Sequence, residues 1–232
     1  MPLHDLHLAS LAPQPQALAP AMELALCASF GSAARWRDGF VAMGQAPGGS
    51  SGWVMLAFDS LQGRLFNQRV ADPVHATAGV VPLLALGGPP DVEALIPNID
   101  WPAVYERYQQ AVTRASEGLG TTADELHQAR LIDVRRAGVY QLSDAMAEGA
   151  QWRDPAQVDA WAAELQAQGP VVVYCVYGHE VSRCTALRLK AAGVDARFLE
   201  GGLDGWRAQG REVVARPAGQ GPGTTFSGRQ AS

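Results

Sequence analysis

Apolar residues recur at helical spacing through residues 21–43, "AMELALCASFGSAARWRDGFVAM", and predict helical structure there. After the break "APGGSSG" the pattern changes. "WVMLAFD" and "RLFNQRV" read as two strands joined by a turn at "SLQG". "IDWPAVYERYQQAVTRA" (residues 99–115) predicts a helix with Pro102 in its first turn, where a missing amide costs nothing. The composition then shifts, and residues 116–123 read as a linker, with Thr121 or Thr122 capping a short helix beyond it.

From residue 124 the pattern alternates. "RLIDVR", "PVVVYC" and "ARFLEG" are short strands, and the first two are followed by "PAQVDAWAAELQAQG" and "VSRCTALRLKAAG", which predict helices. "LDGWRAQG" predicts a last, short helix. Near-continuous apolar strands alternating with helices imply an α/β domain, a mostly parallel sheet covered on both faces, over residues 124–215. The stretch 216–232, rich in glycine and proline, has little to bury and is expected to be disordered. No internal repeat is visible.

Composition narrows the partners. The 232 residues are 47% hydrophobic and 18% charged, and the net charge of -5 is spread without a block of one sign. That argues against nucleic acid or an anionic membrane as partner. Three cysteines far apart do not make a disulfide framework and suit a reducing compartment. The opening "MPLHDLHLAS" has no basic segment ahead of an apolar core, and no apolar run could span a bilayer. A cytoplasmic location is the expectation.

The chemistry concentrates in "VVVYCVYGHEVSRC", residues 171–184. Cys175 ends a predicted strand, and in an open α/β sheet ligands sit beyond the carboxyl ends of the strands. The loop after it runs into a helix N-terminus, whose amides stabilise an anion and favour a thiolate. Gly178 lets successive amides converge. "LIDVRR", "GAQWRDP", "VVVYCVYGHEVSR" and "LKAAGVDARFLEGGLDGW" together resemble the rhodanese family over about residues 124–212. The resemblance implies a sulfurtransferase without cofactor, acting on a small sulfur donor and a thiol or cyanide acceptor through a cysteine persulfide. It makes Cys175 the nucleophile and Val176, Tyr177, Gly178, His179, Glu180, Val181, Ser182 and Arg183 the substrate-binding loop, braced by Asp133 and Arg135. Many members of the family carry an arginine or lysine inside the loop; here residues 176–182 have neither, and Arg183 stands just beyond them. A phosphatase loop would need an arginine where Val181 stands, so phosphoryl transfer is not expected. Substrate charge is left to the amides, His179 and Arg183.

Plainer roles are expected elsewhere. His179 reads as a bracing residue, Glu180 as a helix-start carboxylate favoured by the dipole, and Cys184 and Cys27 as core residues. Cys175, His179 and Cys184 lack the spacing of a metal site.

In the first half, "HDLHLASLAP", "ASFGSAARWRDGF", "GGSSGWVMLAFD", "PLLAL" and "NIDWPAVYERYQQA" resemble the iron/manganese superoxide dismutase family over about residues 1–115. The implied fold is that family's C-terminal α+β part. A dismutase needs three histidines and an aspartate on a redox metal. Only His4 matches a ligand position. The first-helix histidine has no counterpart, Gly87 stands where the aspartate belongs, and "GGPPDVEALIP" replaces the segment bearing the last histidine. His75 matches a position that is not a ligand, and His7 sits where an aromatic is usual. A degenerate domain without metal or dismutase activity, available for homodimerisation, is expected. The competing expectations are a scaffold in which neither half has chemistry, and a residual metal-dependent dismutase.

Overall fold

A computed structural model describes residues 2–45, 52–70, 79–87, 92–126 and 128–217. His75 therefore lies outside the described residues. The N-terminal half comprises α1 (Leu3–Leu8), α2 (Pro20–Phe30), α3 (Ala33–Gln45), β1 (Trp53–Asp59), β2 (Arg64–Val70), β3 (Val80–Gly87), α4 (Val92–Leu95) and α5 (Trp101–Ala115). The predicted helical stretch is two helices. Gly31 adopts φ 85° and returns its amide to the Cys27 carbonyl at 2.8 Å, ending α2. The Ser32 hydroxyl then accepts from the Arg35 amide, opening α3.

The two predicted strands pair antiparallel from Trp53↔Val70 to Asp59↔Arg64, and β1 is the centre of a sheet ordered β2-β1-β3. The β1–β3 register slips at Leu56/Ala57. The Leu83 carbonyl, at this bulge, accepts from Arg107 Nε at 2.7 Å. Asp100 caps α5 by accepting from the Ala103 amide. Trp101, Val104, Tyr108 and Val112 form its buried face, against Trp36, Phe40 and Phe58.

The C-terminal half comprises β4 (Gly120–Thr121), β5 (Arg130–Asp133), α6 (Ala137–Gln141), β6 (Ala145–Ala147), β7 (Gln151–Trp152), α7 (Val158–Trp161), β8 (Val171–Tyr174), α8 (Glu180–Ala191), β9 (Ala196–Leu199), α9 (Gly202–Ala208) and β10 (Val213–Ala215). Five strands form a parallel sheet ordered β4-β9-β8-β5-β7, with β8 at its centre. One face buries Val158, Trp161, Leu165, Ala186 and Leu189; the other buries Leu203 and Trp206. The segment predicted as one helix after Asp154 is α7 between two 3-10 turns, Pro155–Gln157 and Ala162–Leu165.

Two boundaries need correction. Residues 116–123 are not a free linker: Ser116 is buried, the Leu119 carbonyl accepts from Phe198, and Gly120–Thr121 is an edge strand of the parallel sheet. Two backbone pairings decide this, and composition does not register them. Arg216, placed in the tail, is tied down by its amide to the Asp144 carbonyl at 2.9 Å and by its guanidinium over the Tyr140 ring. The rest of the tail, from residue 218, lies outside the described residues.

The halves share a core. Leu187 and Cys184 of α8 pack into the N-terminal cluster, and Asp159 bridges Arg64 and Arg188 across the boundary at 2.8 and 3.1 Å.

Candidate functional site

The site is built at the carboxyl end of β8. Cys175 is buried, and its Sγ lies 3.3 Å from Ser182 Oγ, itself fully buried in the first turn of α8. The loop between them is held by backbone against backbone. Gly178 adopts φ 72°, and a Cβ there would stand 2.7 Å from the Leu199 carbonyl oxygen and 3.0 Å from the Gly201 amide. A Cβ on Gly202 would meet the Cys175 oxygen and Gly178 nitrogen at 2.6 Å each. Side chains are excluded from this contact, so the "EGG" turn before α9 acts as the wall of the loop. The first amides of α9 close it: Leu203 donates to the Cys175 carbonyl at 2.9 Å and Asp204 to the Val176 carbonyl at 3.0 Å. With its carbonyls drawn towards α9, the loop is a peptide ribbon locked in one conformation beside the α8 N-terminus.

Beneath the loop, Asp133 and Arg135 form a buried ion pair at 2.6 Å. Arg135 also donates to Ser143 Oγ at 2.8 Å and to the Ala145 carbonyl at 3.0 Å. The Tyr174 hydroxyl donates to Asp133 Oδ2 at 2.9 Å and accepts from the Ala147 amide at 3.2 Å. Burial, and then the Asp133 charge, push the Tyr174 hydroxyl far above its ordinary range, so it remains a neutral donor. A buried ion pair is tolerable when its remaining donors are satisfied, as here. The network anchors the residue immediately before the cysteine. Tyr174 was not singled out in the sequence, because a hydroxyl inside a wholly buried apolar strand breaks no pattern.

The structure separates the other loop residues. Tyr177 and His179 are exposed, their rings 5.7 Å apart, and Val176 and Val181 are half-buried. Arg183 does not face the loop opening: its Nε donates to the Gly178 carbonyl at 2.9 Å, Nη1 reaches Ser116 Oγ at 3.2 Å, and the guanidinium lies over Phe198. It braces the loop from behind, which corrects its assignment to substrate charge. Glu180 also turns away. It accepts a hydrogen bond from Gln109 of α5 at 3.5 Å.

Of the remaining cysteines, Cys184 donates to the Gly63 carbonyl at 3.2 Å across the boundary between the halves. Burial pushes its thiol up, so it is protonated at neutral pH and is no thiolate partner for Cys175. Cys27, expected in the core, is only half-buried; it lines a groove of about 570 Å³ with Leu24, Arg136, Val139 and Leu142.

The parallel sheet, the cysteine at a strand's carboxyl end and the glycine-walled loop define a cysteine-loop α/β domain. Residues 120–209 match the rhodanese-like domain family, and the chain carries that domain at its C-terminal end. The N-terminal part is homologous to the protein named Superoxide dismutase [Fe] from Cupriavidus metallidurans, at 37% identity over 125 residues. That match covers 48% of this chain, which spans 63% of the relative's length. Among solved structures, a full-length protein from Lactobacillus plantarum is 22% identical, with TM-score 0.40 over 48% of this chain and 99% of the other. A Rhodopseudomonas palustris protein titled as of unknown function and possible tyrosine phosphatase is 18% identical, with TM-score 0.41 over 45% and 92%.

The residues of the N-terminal half do not fit the metal such a relative implies. His4 is exposed and edge-on to Trp53, with ring centroids 6.4 Å apart; His7 packs on the same indole at 5.7 Å and places Nδ1 3.3 Å from the Ala85 carbonyl. Gly87 offers no side-chain donor, and the Trp53 ring fills the space one would need: a Cβ there would lie 2.1 Å from Trp53 Cε3. Among the described residues, no three His, Cys, Asp or Glu side chains gather as a metal set, and no helix is long and apolar enough to cross a membrane.

Proposed function

We propose that the protein is a sulfurtransferase that carries sulfane sulfur on Cys175. The observation that carries this reading is the Cys175 thiol beside the α8 N-terminus, in a loop whose conformation Gly178 and Gly202 leave no room to change. In the first step the thiolate attacks the outer sulfur of a donor. With thiosulfate, the S–S bond breaks, sulfite leaves with the bonding pair, and Cys175 becomes a persulfide whose terminal sulfur is negative. In the second step an acceptor thiolate attacks that terminal sulfur, taking it as a new persulfide and returning Cys175 as thiolate. The α8 amides stabilise the anion in both steps, and the locked loop holds them in place beforehand, so no reorganisation is required during transfer.

Two further features support sulfur over phosphoryl transfer. Val181 stands where an arginine fork would have to be, and the nearby guanidinium of Arg183 is engaged behind the loop. The test is incubation with thiosulfate followed by peptide mass spectrometry. One added sulfur on the Cys175 peptide, removed by cyanide as thiocyanate, is the expected result. An unmodified Cys175, or sulfur mapping to Cys184, would overturn the reading.

A further inference from the structure

β6 does not belong to the five-stranded sheet. Among the described residues its strand partner is β10, paired antiparallel from Val213↔Ala147 to Ala215↔Ala145. Backbone hydrogen bonds extend the pairing at both ends: the Arg216 amide donates to the Asp144 carbonyl at 2.9 Å, and the Glu148 amide to the Glu212 carbonyl at 3.3 Å. The Glu212 carbonyl also accepts from Trp206 Nε1 at 2.8 Å, which ties β10 to α9, the helix whose first amides close the Cys175 loop. The segment that β10 holds is the one that supports the buried network. Ser143 Oγ and the Ala145 carbonyl accept from Arg135, and the Ala147 amide donates to the Tyr174 hydroxyl. Arg216 reaches the same segment from the other side. Its Nε donates to the Ser143 carbonyl at 3.2 Å, and its guanidinium lies 5.4 Å from the centre of the Tyr140 ring, as does that of Arg135. Tyr140 stacks on Trp152 at 5.0 Å, and Trp152 donates to the Arg135 carbonyl at 2.9 Å. Val214 of β10 packs against the cluster of Tyr140, Met146 and Trp152.

We infer that β10 and Arg216 form a clasp that positions the Cys175 loop: by fixing residues 143–147 they keep the Asp133–Arg135–Tyr174 network satisfied, and Tyr174 directly precedes the cysteine. Arg216 acts as a positioning residue, through Ser143 and Tyr140. The stretch that matches the rhodanese-like family ends at residue 209, so the clasp lies beyond it. The inference rests on the sulfur-transfer reading of Cys175 for its part in catalysis. Two of the Arg135 acceptors, and the amide that donates to the Tyr174 hydroxyl, come from residues 143–147. If that segment shifts, a buried guanidinium and a buried hydroxyl lose partners, and the network rearranges to recover them. Tyr174 moves with it, and displacements of about an ångström at a reacting atom are enough to slow a reaction. An isolated two-stranded pairing is marginal in water. The contacts of Arg216 to Ser143 and Tyr140 are what make this short pairing hold.

The test uses the full chain with Arg216→Ala, Arg216→Lys, Ser143→Ala and the double variant Arg216→Ala/Ser143→Ala. Hydrogen exchange read by peptide mass spectrometry reports the loop. Turnover of thiosulfate with cyanide, which yields sulfite and thiocyanate, reports transfer. In Arg216→Ala, exchange should speed up in residues 143–147 and 174–178 and stay unchanged in α5 and β9. At a temperature where the variant remains folded, kcat/KM for thiosulfate should fall about ten-fold, a loss within reach of small misplacement at the reacting centre. Arg216→Lys keeps a cation for the Tyr140 ring and a donor for the Ser143 carbonyl, so it should recover most of that loss. Ser143→Ala should behave like Arg216→Ala, and the double variant should lose less than the product of the two single losses, because both act through one segment. Faster exchange spread evenly over the chain would make Arg216 a residue of overall stability and overturn the clasp. Unchanged exchange in residues 174–178, or single losses that simply multiply, would do the same. Failure of the wild type to turn over thiosulfate would instead refute the sulfur-transfer reading, while the exchange pattern still decides the clasp.

Discussion

The two halves of this molecule treat a glycine in a reactive corner in opposite ways. In the C-terminal half, Gly178 and Gly202 remove side chains so that one backbone can press against another, and the space gained holds the Cys175 loop. In the N-terminal half, the bare Gly87 leaves its space to the Trp53 ring, which also contacts His4 and His7 edge-on. One absence builds a site and the other fills it. The sheet ordered β2-β1-β3 and the buried face of α5 are held by apolar packing.

The largest effect should come from the atom that separates the halves chemically. Cys175→Ser retains size and a hydrogen bond to Ser182 but loses a polarizable nucleophile, so sulfur transfer should fall on the order of 10³-fold or more with unfolding unchanged. Cys27→Ser and Cys184→Ser should stay within a few-fold of wild type in the same assay. Comparable loss in Cys184→Ser would relocate the chemistry.

Next comes the wall of the loop. Gly202→Ala places a methyl 2.6 Å from two backbone atoms at φ 58°, and should cost about 2–4 kcal/mol in denaturant unfolding. Persulfide formation should be lost beyond what the stability change explains, because the strain falls on the loop itself. A fully active Gly202→Ala would mean that the wall is dispensable.

The comparison can be broken from the other side by restoring a carboxylate. Gly87→Asp should not create a metal site, because Trp53 already occupies the space; it should cost about 1–3 kcal/mol. Paired with Trp53→Ala, the two changes should be less damaging together than their sum, a favourable coupling that reports the contact. Elemental analysis of wild type and variants should find no stoichiometric iron or manganese, and added metal should leave Tm unchanged. Near-equimolar metal with dismutase activity would reverse the reading of this half.

The smallest effect concerns the entry into the second half. Glu125 accepts from the Thr122 amide at 3.0 Å, and that bond holds its carboxyl below the usual range, helped by the Thr122 and Thr121 side chains. A carboxyl depressed in the folded state stabilises above its ordinary value of 4.5 and loses that contribution as pH falls through the folded value. Wild type should therefore be slightly more stable than Glu125→Gln at pH 7, with the gap closing in acid. A gap that persists undiminished at pH 2 would exclude this origin.

Local pattern carried much of the architecture. The alternation of apolar strands and helices after residue 124, the β1–β2 hairpin and the proline-started α5 were all legible, because each depends on periodicity and turn chemistry within a few residues. The break at Gly31 and the 3-10 turns around α7 were less so: apolar spacing continues across both while the hydrogen bonding changes. The cysteine loop was legible as a motif, but the destinations of its side chains were not.

The sequence by itself determined the presence of a thiol at a strand's carboxyl end and the glycines able to wall it, since each is a residue type at a chain position. The tertiary structure alone decided that Arg183 braces from behind, that Glu180 is held by Gln109, that Gly120–Thr121 completes the sheet, and that Trp53 covers Gly87. Each of these joins residues from about five to about eighty positions apart. A long side chain at a helix start has several satisfiable partners, and only the packing of α5 against α8 selects among them.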